Sequence, residues 1–156
     1  MATRESNTVA LDPIAKAIIE QLQQDGRRSY AAMGKAVGLS EAAVRQRVQK
    51  LLDAGIVQIV AVTDPLHVGF TRQALIGVRT QGDAEAIADR LSELAEVDYV
   101  VLTAGSFDLL VEVVCEDDQH LLHLLSTSIR NVAGVTSTET FVYLKLHKQR
   151  YDWGTR

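Results

Sequence analysis

The chain has 156 residues, 47% of them apolar and 23% charged, with a formal net charge of −4. That length buries a core without disulfides or metal, and the composition excludes wholesale disorder. No apolar run approaches the ~20 residues of a membrane helix, the opening MATRESNTVALD lacks the apolar core of a secretory signal, and 5% aromatics argue against a base-stacking platform for single strands.

The charge is unevenly spread. Residues 1–60 carry eight Lys/Arg and six Asp/Glu, net +2, whereas residues 61–156 carry eight and fourteen, net −6. A weakly basic front and an acidic back imply two modules with different partners. Cys115 is the single cysteine. It cannot form an internal disulfide or build a metal site alone, so a reducing, cytoplasmic compartment is expected.

In chain order, residues 1–10 read as a disordered lead-in. A first helix is expected from about Pro13 to Gln24, with Asp12 as N-cap, Pro13 at the first helical position and a stripe of Ile14, Ile18, Ile19 and Leu22. A second runs from Ser29 to Val37 with Tyr30, Met33 and Val37 on one side, and Gly38 ends it. A third begins at the N-cap Ser40 with Glu41 in its first turn, turns Val44, Val48, Leu51 and Leu52 inward and stops at Gly55. A strand-like run, Ile56 to Thr63, leads into the turn Asp64–Gly69, the candidate boundary.

The back half repeats itself. Strand Gln73–Thr80, a helix striped by Ala84, Ile87, Ala88, Leu91, Leu94 and Ala95, and strand Val97–Thr103 form one βαβ unit. Gly105-Ser106 is expected to connect tightly into the next: strand Phe107–Cys115, a helix marked by Leu121, Leu122, Leu125, Ile129 and Val132, and strand Val135–Leu146. This is the split βαβ, ferredoxin-like pattern of four antiparallel strands with two helices on one face. Strand residues on both faces are largely apolar, and two helices cover only one, so the back half is expected to dimerise sheet to sheet through the bare face, or to pair through its edges. The fold class is α+β: a helix-turn-helix domain over 11–55, a linker strand and hinge over 56–72, a βαββαβ domain over 73–146 and a tail over 147–156.

The strongest constellation is Tyr30–Gln49. A helix-turn-helix wants a small residue where its helices touch, a glycine four later and a β-branched core residue six beyond, and Gly34, Gly38 and Val44 meet that spacing. A plain three-helix bundle with solvated basic residues is the bland alternative; the spacing and local positive charge favour DNA binding. Glu41, Ala42, Arg45, Gln46 and Gln49 then face away from the core, where Arg and Gln can read purine edges. Arg28, Arg47 and Lys50 are placed for phosphates, and Ser29 with the following helix N-terminus offers backbone N–H groups. Tyr30 and Ser40 complete the candidate set for double-stranded DNA.

The chain resembles the Lrp/AsnC, or feast/famine, transcription regulators. The resemblance rests on Leu11-Asp12, on DGRRSYAAMGKAVGLSEAAVRQRVQKLLDAGIV from Asp25 to Val57, on Asp64-Pro65 and Gly69, on TAGSFDLLVEV from Thr103 to Val113, and on Gly134-Val135, Thr138, Thr140 and Lys145. It covers about residues 11–146. It implies a helix-turn-helix followed by an amino-acid-binding αβ sandwich, dimers that often assemble into octamers, and a cytoplasmic, nucleoid-associated prokaryotic protein. Ala15 stands where the family usually carries an acidic residue, Met33-Gly34 replaces Leu-Ala, and Ser106 replaces an acidic residue or Asn. A helix-interior glycine costs about 1 kcal/mol relative to alanine, and the departures in and beside the helices are expected to alter stability rather than abolish function. The tail from His147, with Trp153, runs past the shared core.

The second motif is Gly105-Ser106-Phe107-Asp108. Gly105 is expected to take a positive φ, the turn's N–H groups suit a carboxylate, and Asp108 suits an ammonium. From the residues alone a hairpin turn with a strand-starting Asp is the favoured reading. The resemblance implies an amino-acid effector there, at a contact between chains, with Thr138 and Thr140 contributed by a neighbour. His120 and His123, after Asp117 and Asp118, sit at a spacing conceivable for metal but are explained by solvated positions; no metal, cofactor, catalytic residue or enzyme is expected. The reading is a sequence-specific DNA-binding regulator whose assembly or DNA binding responds to an amino acid. The alternatives are an architectural, low-specificity DNA-binding protein without effector, and a small-molecule-binding module whose front half docks a protein.

Overall fold

A computed structural model describes residues 11–156; the lead-in expected at 1–10 lies outside the described residues. The chain divides into two compact units, residues 11–61 with 148–156, and residues 62–147.

The first unit holds α1 (Pro13–Gln24), α2 (Tyr30–Val37) and α3 (Glu41–Asp53). Each helix begins where a side-chain oxygen can accept a free backbone N–H: Asp12 from Ala15 at 2.7 Å, Ser29 from Ala32 and Ser40 from Ala43, both at 3.2 Å. The core joins Ile18, Ile19 and Leu22 of α1, Met33 of α2, and Val44, Val48 and Leu51 of α3. Complete burial of such a side chain stabilises by about 1.5–3 kcal/mol. Gly38 closes α2 with φ 72°, the left-handed geometry that an unbranched backbone tolerates. Gly34 has a different constraint. A Cβ there would lie 2.5 Å from the carbonyl oxygen of Leu39, so the glycine lets the α2–α3 turn pass close.

The expected strand over Ile56–Thr63 is absent. The N–H groups of Ile56 and Val57 both return to Leu51 O, at 3.0 and 3.2 Å, closing the end of α3. Among the described residues no strand of the sheet pairs with residues 58–63, and an unpaired segment holds no ladder. A short 3-10 turn, Pro65–His67, is capped by Asp64 instead.

The second unit is a sheet of β1 (Arg72–Thr80), β2 (Val97–Leu102), β3 (Leu109–Cys115) and β4 (Val135–Val142), ordered β2-β3-β1-β4 with antiparallel pairing throughout. Ala74, Ile76 and Val78 of β1 and Leu109, Val111, Val113 and Cys115 of β3 are buried beneath α4 (Ala84–Ser92) and α5 (Asp118–His123). Burial pushes the Cys115 thiol up, and Glu96 and Asp117 add to the effect. The second helix of the repeat is not uniform. After α5 the chain continues as a π-helical segment, Leu124–Ile129. In an uninterrupted α-helix Ile129 would sit about 80° round from Leu121. The wider turn brings it back over the sheet, where Leu121, Leu124 and Ile129 are buried. Leu122, expected in the stripe, is instead 61% exposed.

The strands are also shorter than their apolar runs. β4 stops at Val142, and Leu144 is exposed. The sheet face away from the helices is mixed rather than apolar: Leu75, Val101, Leu110, Val114 and Phe141 share it with Gln73, Arg79, Glu112 and Glu139. The tail belongs with the first unit, through Gly154 N–H to Gln23 Oε1 at 3.0 Å and Thr155 Oγ1 to Glu20 Oε1 at 2.7 Å, while Trp153 stays exposed.

Candidate nucleic-acid interface and effector site

On α3 the buried row Val44, Val48, Leu51 fixes which face is free. Glu41, Ala42, Arg45, Gln46, Gln49 and Lys50 are all exposed on the opposite side. Arg45 donates to Glu41 Oε1 at 2.9 Å, and its guanidinium lies 5.1 Å from the centroid of the half-buried Tyr30 ring. An exposed pair of this kind stabilises little, but the ring and carboxylate together narrow the rotamers open to Arg45. Gln49 Nε2 donates to Asp53 Oδ1 at 2.8 Å.

Ser29 and Ser40 both spend their hydroxyl oxygens as N-caps. Arg28 is half-buried, with its N–H bonded to Asp25 O at 3.0 Å. Arg47 departs from the expected free phosphate contact. Its guanidinium donates to Asp12 Oδ2 at 2.6 Å, tying α3 to the N-cap of α1. Asp12 is held below its ordinary value first by the Ala15 N–H and then by Arg47.

In the second unit, the β2–β3 connection is the six residues 103–108 rather than a tight Gly105-Ser106 turn. Thr103 N–H donates to Asp108 O at 2.9 Å and closes it. Gly105 has no positive φ, and a Cβ there would meet nothing within 4 Å, so the backbone argument for a glycine fails. Asp108 is a clasp. Its N–H donates to Val78 O at 3.0 Å and its Oδ2 accepts from Thr80 N–H at 2.6 Å, holding the loop against β1. One carboxylate oxygen is therefore engaged, which restricts the role foreseen toward an ammonium.

Phe107 is half-buried over Gly77, and its ring meets Phe141 edge to face at 6.2 Å between centroids. Arg79 lies over the same ring at 4.7 Å, donates through Nε to Ser106 O at 2.9 Å and through Nη1 to Ser137 Oγ at 3.4 Å. Sequence reasoning missed this arginine. The available signal was a cation two residues after Gly77, directly following the apolar run Ala74–Val78. Thr138 and Thr140 pair with Val78 and Ile76 on the helix-covered face, opposite to Phe107. Within one chain they do not join the loop. Thr138 Oγ1 accepts from Arg130 Nε at 2.9 Å, beside a pocket of about 300 Å³ lined by Arg130, Val135, Thr136, Ser137 and Thr138.

His120 pairs with Glu96 Oε1 at 3.0 Å, while its Nδ1 accepts from Glu116 N–H at 3.3 Å. The His120 hydrogen bond holds the Glu96 carboxyl below the usual range. Among the described residues no group of three or more His, Cys, Asp or Glu is placed to hold a metal ion, and no helix is long and apolar enough to cross a membrane.

Comparison with known proteins returns two family matches: the AsnC-type helix-turn-helix domain over residues 11–52 and the Lrp/AsnC ligand binding domain over residues 73–153. An uncharacterized HTH-type transcriptional regulator of Pyrococcus furiosus is 33% identical over 143 residues, 90% of this chain and 97% of that protein. Among solved structures, Escherichia coli AsnC superposes with a TM-score of 0.77 at 27% identity, covering 90% of this chain and 97% of that one. A Neisseria meningitidis transcriptional regulator in complex with L-Met gives 0.78 at 27% identity, covering 91% and 95%.

Proposed function

The chain belongs to the Lrp/AsnC family of transcriptional regulators, and from that premise we propose that it binds double-stranded DNA sequence-specifically and responds to an amino acid. It is a regulator with a helix-turn-helix and a ligand-binding domain, not an enzyme. The observation that carries the DNA reading is the exposed row on α3. Arg45 and Gln46 reach base edges, with Glu41, Ala42 and Gln49 beside them. Lys50 and Arg28 meet phosphates, Ser29, Tyr30 and Ser40 border the backbone, and Arg47 supports the row from Asp12. The protein acts in the cytoplasm, where its DNA lies.

A homodimer supplies the second reading helix, setting half-sites about one helical turn or a multiple apart. The half-exposed Leu75, Leu110 and Phe141 support sheet-to-sheet pairing. Assembly to a tetramer of dimers adds avidity. The effector sits at loop 103–108, with Gly105, Ser106, Phe107 and Asp108 around it and Thr138 and Thr140 from a neighbouring chain. The L-Met complex of the Neisseria relative supports an amino acid as the class.

The test is a mobility shift on the protein's own upstream DNA against random DNA at fixed salt, with and without each of the twenty amino acids. A specific complex altered by one amino acid is expected. Equal affinity for both DNAs with no ligand effect leaves the architectural reading instead.

A further inference from the structure

We propose that Arg79 is the carboxylate-anchoring residue of the effector site, with the Phe107 ring as its platform. This rests on the reading of loop 103–108 as that site.

Arg79 is held in place from three sides. The Phe107 ring lies beneath its guanidinium at 4.7 Å, Ser106 O takes Nε–H at 2.9 Å, and Ser137 Oγ takes Nη1–H at 3.4 Å. The Phe107 ring is itself fixed, since it fills the space above Gly77 and meets Phe141. A guanidinium carries five N–H donors in a rigid fork. Two are directed at neutral oxygens, and the second is long. No carboxylate lies within 4.0 Å of Arg79 among the described residues, whereas Arg45, Arg47, Arg72 and Arg150 each have one. The result is a pre-positioned cation with free donors and no acidic partner, at the edge of the loop.

The carboxylate of an α-amino acid matches those donors in charge and geometry. A planar fork binds two oxygens side by side, which a lysine ammonium does not. Of the loop N–H groups first expected to take the carboxylate, those at its two ends are spent, Thr103 N–H on Asp108 O and Asp108 N–H on Val78 O. The arrangement also gives the ligand leverage on the loop. Arg79 bridges loop residue Ser106 to β4 residue Ser137, so drawing its fork toward a carboxylate loads both contacts. Ser137 also lines the pocket beside Arg130. Occupancy thereby reaches the edge of β4.

The experiment uses the full chain. A thermal-shift screen of the twenty L-amino acids identifies the ligand, and calorimetry then titrates that amino acid and its α-carboxamide into wild type, Arg79→Gln and Arg79→Lys. Wild type is expected to prefer the acid over the amide by tenfold or more. Arg79→Gln is expected to weaken the acid about tenfold, leave the amide nearly unchanged and so erase the preference; Arg79→Lys recovers part of it. Unliganded melting curves of the variants control for folding, and acid–amide preference does not follow from a loop that has merely loosened. An Arg79→Gln protein that keeps the wild-type preference overturns the assignment of Arg79 while the site stands. A wild-type protein that no amino acid stabilises, or whose hit binds Asp108→Ala and Phe107→Leu unchanged, overturns the site itself and this inference with it.

Discussion

The ring of Phe107 occupies the space that a side chain on residue 77 would need: a Cβ built on Gly77 would lie 2.6 Å from Phe107 Cδ2 and 2.7 Å from Cε2 and Cγ. Three ring atoms at that range mean the whole ring must move, not only its far edge. Gly77 sits in the middle of β1, paired with Leu110 on one side and Glu139 on the other, so the backbone beneath is fixed by two ladders.

Gly77→Ala is therefore expected to unseat Phe107 and with it the stacked Arg79. Overpacking of this kind typically costs about 1–3 kcal/mol. The ligand response should be lost, while DNA binding without ligand persists. Calorimetry with the screened amino acid checks the first outcome and a mobility shift the second. Unchanged ligand affinity would show that Phe107 does not support the site.

A second glycine reverses an expectation. Propensity favours alanine over glycine at Gly34 by about 1 kcal/mol. The structure places the new methyl 2.5 Å from Leu39 O, a backbone atom in the turn between α2 and α3. That carbonyl cannot rotate aside without moving the turn. Gly34→Ala is expected to destabilise the helical unit by about 1 kcal/mol net, because the strain outweighs the propensity gain. Thermal denaturation followed by far-UV circular dichroism decides the sign.

The contrast between these residues shows what was legible in the sequence. The stripe Ile18, Ile19, Leu22 and the left-handed cap at Gly38 follow from local periodicity and turn chemistry, and both stand in the fold. Alternation along β3 separated Leu109, Val111, Val113 and Cys115 from Leu110 and Val114 correctly. Alternation does not reveal partners, however. Ile56–Thr63 has strand composition and no strand to pair with. Around loop 103–108 the contacts were not legible, since Asp108 bonds to Thr80 and Arg79 to Ser106 and Ser137 across 27 to 58 residues of chain. The same holds for the tail, whose Thr155 reaches Glu20 across 135 residues. Spacing rules carry no information at that range.

On α3 the predictions separate reading from holding. Arg45→Ala removes a side chain aligned by Tyr30 and Glu41. It is expected to lose roughly 1–3 kcal/mol on the specific site and to relax preference at one base position. Lys50→Ala should weaken all DNA about equally and lower the salt slope by about one. Binding titrations over a salt series, on specific and random DNA, measure both. An Arg45→Ala protein with unaltered base preference would remove Arg45 from the reading set.

Acid should weaken the helical unit through Asp12. Its carboxyl lies below the ordinary value of 3.8, first because it accepts the Ala15 N–H and next because Arg47 donates to it. A group whose folded value is depressed adds stability that is fully present above its unfolded value. That stability is lost as pH falls through the folded value, here in the region below 3.8. Asp12→Asn keeps an N-cap acceptor for Ala15 but removes the ion pair with Arg47 and the titration. Wild type is thus expected to be more stable than Asp12→Asn near neutral pH, and the gap should close on acidification. Asp12→Ala, lacking cap and ion pair alike, should be the least stable of the three at neutral pH. Melting curves of the three proteins between neutral pH and the acid limit of folding test this. A gap between wild type and Asp12→Asn that stays constant across the series would mean that the Arg47 contact contributes nothing through the carboxylate's charge.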